Sequence, residues 1–213
     1  MQNRALAARG RIGTLIRVAL ALTIATGAHT ATSVAGVDTL PAAPSSQQPK
    51  AVNKDAKIMA DFTERVQKYV EVHRRLEGTL PGISKESTPQ QIDAHQRALE
   101  KLIQTERLKG KEGDFFDKDT RALFRRHLDV AFSGPDGADA KAEIMDEYPG
   151  PVRIVINGRY PDTIPLSTVP PKALNLLPPL PEELEYRFIG DRLILLDVHA
   201  HIVIDAIDKA FRK

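Results

Sequence analysis

The chain has no cysteine and no tryptophan, and only 5% of its 213 residues are aromatic. Without cysteine there is no disulfide framework, no thiol catalysis and no cysteine-ligated zinc or iron–sulfur centre. Long apolar runs are lacking as well. No internal stretch approaches the roughly 18 apolar residues of a membrane-spanning helix, which excludes a polytopic membrane protein. With 27% charged and 42% hydrophobic residues, the remainder suits one modest globular domain with tails.

Acidic residues are absent before Asp38, whereas Arg4, Arg9, Arg11 and Arg17 lead into the apolar stretch Val18 to Ala25 and then into small residues. That order is the grammar of a secretory signal peptide. Cleavage is expected after Ala28 or after Ala35, both preceded by small residues, and residues 1–35 are taken as the signal segment. Left uncleaved, this segment would be the chain's contact with a membrane. Its alanine-rich core and small-residue exit suit bacterial export better than a mitochondrial presequence, so the expected location is periplasmic or secreted.

Residues 1–35 hold four of the 30 basic residues and none of the 28 acidic ones, leaving 26 against 28 and a net charge of −2. The basic balance thus belongs to the targeting segment. Neither a net positive charge nor a basic stripe with interleaved aromatics remains, and nucleic acid is not expected as a partner.

Residues 36–51, with Pro41, Pro44 and Pro49 around Ser45-Ser46-Gln47-Gln48, read as a flexible linker. A helical region over 52–148 follows. Ile58, Met59, Phe62, Val66, Tyr69, Val70 and His73 recur at spacings of three and four, predicting an amphipathic helix from about Asn53 to Gly78. Thr88-Pro89-Gln90-Gln91 offers a cap, a first-turn proline and a capping-box glutamine for a second helix to about Leu108. Asp117 can cap a third, which Ser133-Gly134-Pro135-Asp136-Gly137 breaks, and Ala138 to Glu147 can form a fourth, stopped by Pro149.

Beyond Pro149 the period becomes alternating. Val152 to Ile156 is expected as a strand before the Asn157-Gly158 turn. Residues 161–181 carry seven of the 15 prolines and are expected as an extended strap, neither helix nor central strand, covering the sheet with Leu174, Leu176, Leu177 and Leu180. The same prolines, Pro170 to Pro181, would also suit a polyproline ligand for a partner groove. Leu184 to Phe188, Leu193 to Val198 and Ile202 to Ile204, joined by turns at Gly190-Asp191 and His199-Ala200-His201, predict a three-stranded antiparallel meander. The strap and meander span 149–207, and the tail 208–213 is expected to fray or add a helical turn. The fold class is therefore α+β, with three or four helices, then a Pro-rich strap, then a small β-meander.

The stretch from Leu180 to Asp197 (LPEELEYRFIGDRLILLD), followed by Ile202-Val203-Ile204-Asp205, resembles the C-terminal module of small exported bacterial envelope proteins of unknown function, and of the periplasmic nickel/cobalt-homeostasis type. The resemblance covers about forty residues and implies an envelope location and a non-enzymatic role.

Candidate chemistry centres on Asp197-Val198-His199-Ala200-His201 and Asp205. Two imidazoles two residues apart, with carboxylates at the flanking strand ends, are the ligand types that nickel, copper, zinc or cobalt takes without thiolates. The competing reading is a polar turn whose aspartates bond backbone groups. His73, His95 and His127 each fall on an apolar helix face and would meet only if three helices bring them together. Glu143, Asp146 and Glu147 read as a solvated acidic face. Gly-x-Ser-x-Gly, His-Glu-x-x-His and a glycine-rich phosphate loop are all missing. Two functions are therefore expected: a non-catalytic envelope protein that binds a protein partner or contributes structure, with no cofactor, or a periplasmic metal-homeostasis protein holding a divalent transition metal at His199, His201, Asp197 and Asp205.

Overall fold

The computed structural model describes residues 50–148, 150–165 and 167–212, with side chains from residue 54. The expected signal segment, most of the linker and Pro149 lie outside the described residues. The fold is α+β. Four helices, α1 (Lys50–Glu77), α2 (Pro89–Glu106), α3 (Lys118–Ala131) and α4 (Gly134–Asp146), precede a one-turn helix α5 (Pro171–Leu174) and strands β1 (Leu184–Ile189), β2 (Arg192–Asp197) and β3 (Ile202–Ile207).

Local chemistry sets the helix starts. Thr88 and Gln91 form the capping box of α2 with Pro89 at its first position, and the Asp117 carboxylate accepts the Thr120 N–H to cap α3. In α1, Phe62, Val66, Tyr69, Val70, His73 and Leu76 are buried along one stripe. Two boundaries differ from expectation. Helix α4 starts at Gly134, because Pro135 in its first turn needs no N–H partner and so opens the helix where the sequence reads as a break. Likewise Pro170-Pro171 starts α5 inside the strap, which is therefore not wholly extended.

The strands form an antiparallel sheet in the order β1-β2-β3. Its one face, with Leu184, Tyr186, Phe188, Leu193, Leu195 and Ile202, joins the helices in a single core that includes Phe62, Tyr69, Phe116, Phe124 and Leu128. On the opposite face Ile194, Leu196, Val203 and Ala206 lie beneath Tyr160, Val152, Ile154 and Ile156. Cover on both faces is why β2 and β3 read as nearly continuous apolar runs. Residues 152–156 are not a strand. Their alternation serves side-chain burial, while backbone pairing to β3 starts only in the turn, at Asn157 N–H to Val203 C=O, and continues with Arg159 opposite Ile202.

A bulge shifts the β2–β3 register so that Leu195 faces Asp205 and Leu196 faces Val203. Ile204 and Asp205 consequently both turn toward the helical layer. In the strap, Leu177 is buried and Leu176 and Leu180 pack on the core, whereas Leu174 stays exposed. The tail does not fray at once, since Ala210 and Phe211 are buried and Phe211 lies against Phe132 and Phe188. Among the described residues, no helix is long and apolar enough to cross a membrane.

Candidate metal centre

Tyr69, His73 and Glu77 are spaced by four residues along the last two turns of α1, which lines them up on one face. Opposite that face β2 ends at Asp197 and the β2–β3 turn presents His199. His73 is fully buried, and its Nδ1 lies 2.6 Å from Asp197 Oδ2. The same oxygen accepts the Tyr69 hydroxyl at 2.5 Å, and Oδ1 accepts the Ala200 N–H at 2.8 Å. An ionised carboxylate only accepts, so the His73 Nδ1 carries the hydrogen and Nε2 is left to face outward. There it meets Glu77 Oε2 at 3.2 Å.

Glu77 gathers two further imidazoles. His199 Nδ1 lies 3.1 Å from Oε1, and His95 Nε2, from α2, lies 3.3 Å from the same oxygen. His95 Nδ1 donates to the Pro81 carbonyl at 3.0 Å. In both His73 and His95 one ring hydrogen is therefore already committed to an oxygen. As neutral rings, each points a bare nitrogen lone pair at the Glu77 carboxylate. That juxtaposition is repulsive unless a second proton or a metal cation sits on the nitrogen.

The electrostatics agree. Burial alone would depress the His73 pKa, but the hydrogen bond and charge of Asp197, then of Glu77, outweigh it and raise it above the ordinary value. Burial alone would raise the Glu77 carboxyl, and the three histidines, His199 foremost, hold it below its usual range instead. Burial, with the Asp197 charge, pushes the Tyr69 hydroxyl well above its ordinary value, so it remains a donor. Glu183 lies nearby, bonded to Arg74 through Oε1, while its buried Oε2 has no hydrogen-bond partner among the described residues. Asp197 and Glu77 thus act on His73. Burial alone would raise the Glu183 carboxyl, and Arg74, then the His73 charge, help hold it below its usual value instead.

One ligand atom each from His73, Glu77 and His199 lies within 4.8 Å of the others, the one such group of histidine and carboxylate side chains among the described residues. Around a four-coordinate zinc with bonds of ~2.0–2.1 Å, adjacent donor atoms stand ~3.3 Å apart. The contacts of His73 Nε2 and His199 Nδ1 to one oxygen of Glu77, Oε2, at 3.2 and 3.3 Å, are close to that edge. Asp197 behind His73 completes the carboxylate–histidine pairing that orients metal-ligating imidazoles.

The quartet expected from sequence does not assemble. Asp205 is buried and holds the backbone N–H groups of Gly113, Phe115 and Phe116, a structural clamp on the loop before α3. His201 takes the left-handed conformation at φ 56° and turns to the other side, with Nε2 3.4 Å from Asp162 and its ring edge-on to Tyr160. Burial, aided by Arg159, lowers its pKa. Strand alternation would place residues 199 and 201, two apart, on one face; the turn between β2 and β3, with His201 at positive φ, is what sends them to different sides. Of the helical histidines, His73 and His95 converge on Glu77, while His127 bonds the Leu176 carbonyl at 2.7 Å. Sequence reasoning missed Glu77 and Tyr69, although their four-residue spacing from His73 was there to read.

No protein-family model, curated protein or solved structure matches the chain.

Proposed function

We propose that this protein binds a divalent transition metal, with His73 Nε2, Glu77 and His199 Nδ1 as its ligands, Asp197 orienting His73, and His95 holding Glu77 from the side. The observation that carries this reading is His73, whose Nδ1 is already bonded to Asp197 while Nε2 faces Glu77, with His199 Nδ1 on the same carboxylate. A dication on Nε2 relieves that conflict at His73 and binds Glu77 and His199 with it, while His95 stays against the other Glu77 oxygen. Imidazole with carboxylate suits zinc, nickel, copper or cobalt. The role is a holding one, non-catalytic, in the bacterial envelope to which the N-terminal segment directs the chain. The four-residue set of the β2–β3 turn is thereby replaced by one that keeps His199 and Asp197 and draws its other members from α1.

Calorimetric titration of the full chain with zinc, nickel, copper and cobalt tests it. Micromolar or tighter binding of at least one metal is expected, weakened at least tenfold by His199→Ala and by Glu77→Gln. The His201→Asn variant, chosen because asparagine tolerates the left-handed conformation, should bind as the parent does. No binding, or binding that both ligand variants retain, overturns the reading.

A further inference from the structure

The site is buried on one side only. His73 is enclosed, whereas the side chains of Glu77 and His199 keep 28% and 37% of their surface exposed. Both line an open groove of about 770 Å³ between the loop after α1, the start of α2 and the β2–β3 turn. Three protein ligands leave at least one position of a four-coordinate ion for an outside donor, as in open metal sites generally. Glu77 and His199 both line the groove, so the groove is the side from which an outside donor would reach the ion.

The groove's remaining walls are largely apolar. Leu80, Ile83, Ile92 and Val198 line it, and Ile83 and Ile92 keep 44% and 39% of their surface exposed. A second hollow of about 380 Å³ shares Leu80, Ile83 and His95 and extends along α2 past Ala94 and Ala98. Two half-exposed isoleucines inside a concavity are a surface that gains from being covered. As for charge, Glu77 is the one carboxylate lining the groove, and Arg74 stands in the same wall. Arg74 is already paired with Glu183 and Asp197 is buried behind His73, so the balance in the groove is set by the ion and its ligands. A dication held by two neutral imidazoles and the single Glu77 carboxylate keeps an uncompensated positive charge on the open side, and the entering donor is favoured as an anion.

We propose that the groove takes a small apolar carboxylate, whose oxygen fills the open position on the metal and whose hydrocarbon body lies over Ile83 and Ile92. This rests on the metal reading above and names the ligand class of that same site. The volume is of the size that holds small-molecule ligands, and a few convergent polar groups within apolar walls is their usual setting.

Cobalt-loaded full chain supplies the test, because the visible band of bound Co(II) reports directly on its ligands. Acetate, butanoate and hexanoate are expected to shift the band, with the dissociation constant falling about two- to fourfold per added methylene. Hexylamine and hexanol should leave it unchanged. The Ile83→Ser/Ile92→Ser variant, altered only at exposed side chains, should keep the acetate response and lose the dependence on chain length. A Co(II) band that forms but ignores carboxylates, or hexanoate binding no tighter than acetate, overturns the carboxylate proposal and leaves the metal reading standing. If no cobalt band forms, the same carboxylate series is read by calorimetry on the zinc-, nickel- or copper-loaded chain with the same criteria; failure of all four metals to bind removes the metal reading, and this proposal with it.

Discussion

Asp197 accepts hydrogens from Tyr69, His73 and the Ala200 backbone, and through them it fixes which nitrogen of His73 faces Glu77. Replacing it by asparagine keeps the shape but removes the charge, and it offers an N–H₂ group where only acceptors are wanted. Partners of this kind typically change metal affinity by 10–100-fold. Asp197→Asn is therefore expected to weaken zinc binding by roughly that factor while far-UV circular dichroism stays that of the parent, both measured on one preparation. An unchanged zinc affinity would mean that His73 needs no such orientation. At this scale the sequence is half informative. Asp197 and His199 stand out in it as ligand types beside a turn, yet Asp197 meets His73 across 124 residues and His199 meets Glu77 across 122. Spacing along a chain says nothing about such pairings. The ladder Tyr69, His73, Glu77 was legible as a shared helix face, but a shared face does not reveal what lies opposite.

Elements are where local chemistry speaks most directly. Asp117 caps α3 by accepting the Thr120 N–H at 2.8 Å, and its carboxylate pairs with Arg65 at 3.1 Å. Burial alone would raise its pKa, but the Thr120 bonds and Arg65 hold it below the ordinary carboxylate value. A depressed folded-state pKa means stability that is present above the unfolded value of 3.8 and lost as pH falls through the folded one. Asp117→Ala is accordingly expected to cost about 0.5–2 kcal/mol at pH 7 by urea denaturation. The gap between variant and parent should begin to narrow below about pH 3.8 and go on narrowing until the pH falls under the lower folded-state value, where the parent's cap is protonated too. A gap that stays constant with pH would assign the loss to something other than the charged cap. Caps of this kind, with the Thr88–Gln91 box and the Gly190-Asp191 turn, were legible because each is settled within four residues. The 152–156 segment was not, because alternation reports burial of side chains and is silent on whether a strand lies alongside. Nor was α5, where one turn of helix started by Pro171 is too short to show a period.

At the scale of the whole molecule, the helical part and the meander share one core, and the proposed site sits on their seam. Helix α1 brings His73 and Glu77, α2 brings His95, and the β2–β3 turn brings His199. The unfolded chain holds its two nearest ligands, His73 and Glu77, more than 120 residues from His199, so the complete set exists only in the folded state. A metal that binds that state alone stabilises it by RT ln(1 + [L]/Kd), about 2.7 kcal/mol when free metal is a hundredfold above Kd. For a domain of this size each kcal/mol moves the midpoint by about 2–4 °C. Thermal unfolding of the full chain with metal should therefore occur roughly 5–10 °C higher than in chelator. The His199→Ala variant is expected to lose that shift while its midpoint in chelator stays within about 2 °C of the parent's, since a part-exposed side chain on a turn contributes little to packing. A shift that survives His199→Ala would place the metal elsewhere. A fall in the chelator midpoint as large as the lost shift would make His199 a structural residue, its bond to Glu77 part of what joins the meander to α1.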